Sequence, residues 1–205
     1  MTKARLQPLT PDALDPAAME LYLAVLDSPR GRGGAIRILQ RADGSLTGPF
    51  DAWLRSPALG LHLERVGMAL RTDTQLSDAA REVAVLVVAK AWNAEFEWWV
   101  HGLVARRHGV SEEAIDAIGH GWRPDFADAD CAAAHDVASS LVRHRAIDDD
   151  TLERARDGLG ERGLVEVVTL VGFYQLVSGV LESFRPPPPS DDLPVVGPPG
   201  GADPA

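Results

Sequence analysis

The sequence predicts an all-α protein, and three observations carry that prediction. No segment alternates apolar and polar residues with the period of two that a half-buried strand needs. Apolar residues instead recur three and four apart over stretches of ten residues or more. These stretches are bounded by serine or proline at the start and by glycine at the end, the residues that cap and stop helices.

The first fifteen residues, with Pro8, Pro11 and Asp15, read as an arm. Pro16 suits a first helical position, and Met19, Tyr22, Leu23 and Leu26 then carry helical spacing. The run Ser28-Pro29-Arg30-Gly31-Arg32-Gly33-Gly34 breaks that helix. It lacks the Gly-Lys-Ser/Thr ending of a phosphate loop and reads as a flexible turn. Ala35 to Arg41 fits a short helix or a strand, and Asp43-Gly44-Ser45 a turn. Gly48-Pro49-Phe50 opens a segment with Phe50, Trp53 and Leu54 on one face. Ser56-Pro57 starts the next, in which Leu59, Leu63, Val66 and Leu70 form the apolar stripe.

Ser77 caps a helix from about Asp78 to Trp92 that is apolar nearly all round and is therefore expected to be buried on most sides. Asn93-Ala94 is a short connection or a kink. Glu95 to His108 is the following helix, and Gly109 stops it. Ser111-Glu112-Glu113 opens a short helix to Ile118, with acids where the helix dipole favours them. Trp122-Arg123-Pro124 is a loop. Ala129 to Arg145 is helical, with Val137, Leu141 and Val142 inward. A helix from Thr151 to Leu159, a turn bracketed by Gly160 and Gly163, and a long apolar helix from Leu164 to Phe184 complete the order. From Pro186 onward the chain is proline-rich, and this tail is expected to be disordered.

Composition narrows the function. The chain has 205 residues, 45% of them hydrophobic, enough for a sizeable core. A formal net charge of −10 and scattered basic residues argue against nucleic acid as a partner. The single cysteine, Cys131, excludes an internal disulfide and any CxxC redox pair. The N-terminal residues have no apolar leader and no apolar run looks long enough to span a bilayer, so a cytoplasmic location with no membrane contact is expected.

The chemistry concentrates in Arg81-Glu82 and in Glu95-Phe96-Glu97-Trp98-Trp99-Val100-His101. Glu82 heads the apolar run Val83–Ala89, where a lone charge is costly to bury without a partner. Glu97 and His101 are four residues apart, on one face if the segment is helical. Two carboxylates and an imidazole meeting between packed helices are the parts of an acid/base site. The alternative is that Glu82 and His101 are a buried structural pair tying two helices. A metal reading fits poorly, because bundle di-metal sites repeat Glu-x-x-His on two helices, and here the spacing is one residue longer and occurs once. No metal and no cofactor are expected.

These residues, followed by Gly109-Val110-Ser111-Glu112-Glu113-Ala114-Ile115, resemble the carboxymuconolactone decarboxylase family, related to the alkylhydroperoxidase-D-like proteins. Gly48-Pro49-Phe50 with Ser56-Pro57-Ala58-Leu59 resembles that family's lead-in. Gly163-Leu164-Val165-Glu166-Val167-Val168 and Tyr174 resemble its closing helix. The resemblance implies an alkylhydroperoxidase-D-like helical bundle over residues 45–185, behind an N-terminal arm and helix at 1–44 and before the tail at 186–205. It also implies a homo-oligomer, trimer or hexamer.

The peroxidase branch of the resemblance carries CxxC at the start of the helix bearing the histidine; here those positions hold Ala94 and Glu97. A thiol peroxidase needs a thiolate nucleophile, and Cys131 lies in another segment, so peroxidase activity through it is the disfavoured alternative. The decarboxylase branch implies cofactor-free loss of CO2, or a related proton transfer, on a small carboxylated lactone or enolisable acid. His101 is then the proton donor with Glu97 or Glu82 holding its tautomer, or a glutamate raised by burial is the donor instead. Arg81 would hold a substrate carboxylate or else face solvent, Trp98 would be a substrate contact or packing, and Tyr174 would reach into the site or pack. A non-catalytic binding or structural member of the fold is the remaining alternative.

Overall fold

The computed structural model describes residues 4–29, 36–189 and 197–199. Most of the expected glycine-rich turn, residues 30–35, lies outside them, as do tail residues 190–196 and 200–205. The described residues form nine α-helices and no strand beyond one isolated bridge, Gln40 with Leu46. By contacts the chain divides into two compact units, residues 1–72 with 179–195 and residues 73–178 with 196–205.

In the first unit, α1 (Pro16–Asp27) begins as the sequence requires. Pro16 takes the first turn and the Asp15 carboxylate accepts from the Ala18 N–H at 2.8 Å. It packs on α4 (Pro57–Thr72) through Leu21, buried like Tyr22 and Val25. Between them lie the one-turn α2 (Ile36–Leu39), the turn at Gly44 and α3 (Gly48–Trp53), in which Phe50 and Trp53 are buried as expected. Gly44 has φ +86°, and its carbonyl accepts from the Tyr22 hydroxyl at 2.9 Å.

The stripe expected on α4 is inward at Leu70 and outward at two of its other positions. Leu59 and Val66 are 57% and 42% exposed, and the buried line runs through Gly60, Glu64 and Leu70. The reason is close approach: a Cβ at Gly60 would collide with Leu21, so α4 docks there through a residue without a side chain.

The second unit is built around α5 (Asp78–Trp92), which packs against α6 (Glu95–Arg107), α7 (Glu112–Gly119) and α8 (Ala129–His144). Every residue from Ala80 to Ala89 is buried, in keeping with the unbroken apolar run Val83–Ala89, and Arg81 and Glu82 are buried with it. Ser77 caps it, accepting from the Ala80 N–H at 3.1 Å. Asn93 ends it in the left-handed conformation, φ 51°, and α6 starts two residues later. Gly109 (φ +85°) closes α6, and Ser111 caps α7.

The last element, α9 (Asp149–Phe184), departs from expectation. The chain breaks only at Gly160 (φ 69°, ψ 171°) and turns helical again at once, so Gly163 lies within a helix rather than a turn. The Leu159 carbonyl freed by the break accepts from the Gln75 side chain at 2.7 Å. By length and composition α9 could cross a membrane, with mean hydropathy 1.8 over an 18-residue window that is 39% buried. This corrects the expectation that no run is long enough, although core helices share that composition.

Candidate functional site

Arg81, Glu82, Glu97 and His101 come together in the second unit, each no more than 5% exposed. Glu82 sits in the second turn of α5 with no exposed surface at all. Its Oε2 lies 2.5 Å from Nδ1 of His101, which stands two turns into α6. Glu97, one turn before His101, places Oε2 3.3 Å from the other ring nitrogen, Nε2. That approach lacks the alignment of a hydrogen bond. The imidazole is thus held between two carboxylates, one bonded and one adjacent.

The remaining walls are aromatic and cationic. Tyr174 of α9 meets the His101 ring edge-on, centroids 5.0 Å apart and planes at 86°, and Phe173 meets Tyr174 in the same manner at 5.6 Å. No hydrogen bond from Tyr174 to the cluster accompanies that contact. Arg81 is not a surface residue, at 4% exposed. Its Nε lies 3.4 Å from Glu82 Oε1 and its NH2 group 2.5 Å from Asp78 Oδ1. Asp78, half exposed, lies 3.2 Å from Nδ1 of His108. A line of charge runs from the surface at His108 through Asp78 and Arg81 to Glu82 and His101.

The electrostatics follow from that enclosure. Burial pushes the His101 imidazole towards its neutral form; Tyr174, Glu82 and Glu97 outweigh it and hold its pKa well above the ordinary histidine value. With His101 charged, the formal charges of Arg81 and His101 offset those of Glu82 and Glu97, so the buried group as a whole is neutral. A cation at Arg81 lets two carboxylates flank one imidazolium in an apolar setting.

Trp98 is 8% exposed and packs beside Gly119, while Trp99 is partly exposed. Cys131 is far from this chemistry in kind as well as in sequence. It is buried on α8, and burial together with Asp130 and Asp128 pushes its thiol up to about 12. A second buried histidine, His135, also lies on α8 beside Asp136 and Phe126. Burial holds its pKa below the ordinary value. Among the described residues no three His, Cys, Asp or Glu side chains converge as a metal-binding set.

Sequence reasoning found the Glu82, Glu97 and His101 cluster but missed the inward turn of Arg81 and the place of His108. Asp78, three residues before Arg81, was the available signal for the first. The second involves two residues 30 positions apart and had no local signal.

The fold defines the class: an all-helical protein of the alkylhydroperoxidase-D-like fold. The structure is similar to a crystal structure described as an alkylhydroperoxidase AhpD core, an uncharacterized peroxidase-related protein from Ralstonia eutropha JMP134. The TM-score is 0.71 at 16% identity, over 93% of this chain and 94% of that one. No family model matches the sequence, and no curated protein does. At that identity the likeness speaks for the fold alone.

Proposed function

We propose that this protein is a carboxymuconolactone decarboxylase-like enzyme that performs cofactor-free acid/base chemistry. Its substrate is a small carboxylated lactone or enolisable acid. The observation that carries the reading is His101, buried, fixed at Nδ1 by Glu82 and approached at Nε2 by Glu97, with its pKa held well above the ordinary histidine value. Loss of CO2 leaves an electron pair that a conjugated carbonyl must accept, and the resulting carbanion must then take a proton at carbon. A histidine with its pKa raised carries that proton at neutral pH, and Glu82 fixes the ring so that Nε2 is the donating end. Glu97, beside Nε2, returns a proton to the ring or steers the donated one. Arg81 acts through Glu82 as a positioning residue.

A thiol peroxidase is the disfavoured reading, because Glu97 occupies the position a reactive cysteine would need and the only thiol is buried and held protonated. A structural role for the pair is the other alternative, favoured by the complete burial of Glu82. The oligomer implied by the resemblance and a cytoplasmic location belong to the same proposal.

The test is an NMR screen for decarboxylation and solvent-deuterium incorporation on carboxylated lactones and β-keto acids, with wild type and His101→Asn. Turnover that depends on His101 supports the reading. Equal behaviour of the two proteins on a substrate that is turned over overturns it.

A further inference from the structure

The described tail residues Gly197-Pro198-Pro199 lie on the second unit, over the start of α6. The Lys90 ammonium, near the end of α5, donates to the Pro199 carbonyl at 3.1 Å. Gly119, the last residue of α7, faces the same proline. A Cβ there would stand 2.6 Å from Pro199 Cγ and Cδ and 3.1 Å from Trp98 Cζ2. Gly197 lies against Glu95, where a Cβ would stand 3.0 Å from Cγ. Pro198 between them is buried.

We infer that Lys90, Trp98 and Gly119 form a proline-docking notch. Its occupant is the chain's own Gly197–Pro199 segment, which straps the first turn of α6. Proline suits such a notch on three counts. It has no N–H to desolvate, its ring is a rigid apolar face for an aromatic neighbour, and its carbonyl is a good acceptor for an ammonium. Gly119 is needed as it stands, since a side chain there would fill the space Pro199 uses.

An independent feature shows why this turn needs a strap. Ala94, at the cap position of α6, gives no side-chain hydrogen bond to the helix, unlike Ser77 before α5 and Ser111 before α7. The turn left uncapped carries Glu95, which lies against Gly197, Trp98, which lies with Pro199 against Gly119, and Glu97, which turns inward to His101. Packing from outside then holds the first turn of α6 by contact, without supplying the N–H acceptor that a serine supplies for its neighbours. The inference is independent of the proposed reaction.

The test uses the full-length chain, isotope-labelled for NMR, with Trp98→Phe to assign the indole signal. In the wild type the Pro199 ring protons are displaced from free-peptide positions by the Trp98 ring current. Pro199→Ser, which cannot disturb the helical core, and Gly119→Ala, which fills the notch, each move the Trp98 indole signal in the same direction. Each also speeds amide exchange at 97–99 by about fivefold, the size of a lost helix cap, while α8 is unchanged. Free-peptide shifts for Pro199 in the wild type, or an unmoved indole signal in Pro199→Ser, would overturn the inference. So would a wild-type indole signal that shifts on dilution, since the occupant would then be the tail of another copy.

Discussion

Glu82 Oε2 and His101 Nδ1 stand 2.5 Å apart, although nineteen positions separate the residues in the chain. Neither has more than 5% of its surface exposed. The pair therefore combines the two properties by which a buried ion pair is judged, short geometry and exclusion of water. Breaking such a pair by removing one partner costs about 3–5 kcal/mol, because the other charge is left uncompensated.

Glu82→Ala is expected to lower stability by about that 3–5 kcal/mol, read by urea denaturation. In the same variant the His101 imidazole should lose its raised pKa and titrate lower, followed through its ring-proton signals. An unchanged midpoint would show that the pair contributes nothing to the fold.

Glu97→Gln should separate function from stability. Its Oε2 makes no aligned hydrogen bond in the resting site, so the melting temperature is expected to fall less than in Glu82→Ala, by no more than the loss of one balancing charge in the cluster. Turnover of a substrate found in the NMR screen should fall about 10²–10⁴-fold, the usual contribution of a positioned proton-transfer group. A large drop in melting temperature with full activity would reverse the assignment.

The two buried histidines give opposite pH signatures. His101 is held well above the ordinary value of 6.5, so the native state binds its proton more tightly than the unfolded chain. Its contribution is complete below about pH 6.5 and is lost as pH rises through the folded value. His135 is held below 6.5, so its contribution is complete above about pH 6.5 and is lost as pH falls. Thermal unfolding across pH should show alkaline weakening that disappears in His101→Asn and acid weakening that diminishes in His135→Gln.

Cys131, buried and with its thiol pushed up to about 12, should resist a thiol reagent at pH 8 in the native state and react on unfolding. Cys131→Ser should leave turnover unchanged. Rapid labelling of the native protein would reopen a thiol-based reading.

Much of this site was legible in the sequence because its constraints are local. An acid heading an all-apolar helix must find a partner, and Glu97 and His101 share a face by spacing alone. The helix order came from caps and stops for the same reason. What escaped depends on tertiary contact. The phase of α4 is set by Leu21 approaching Gly60. Arg81 turns inward because Glu82 needs a counter-charge, overriding the surface preference of arginine. Gly160 yields a one-residue break, where two glycines suggested a longer turn. Residues 197–199 carried only the signal of a low-complexity tail, and their contacts come from α5, α6 and α7 together.

The left-handed residue Asn93 fixes the phase between α5 and α6, and with it the interval from Glu82 to His101. Each residue added to or removed from either helix rotates the remainder of that helix by about 100°. A single insertion or deletion between positions 83 and 100 would swing His101 off Glu82 and leave two ionisable groups facing apolar side chains. Substitutions are tolerable across much of this stretch, but changes in its length are not. The nineteen-residue interval works as a ruler, and a chain that keeps every site residue yet alters that count would lose the site.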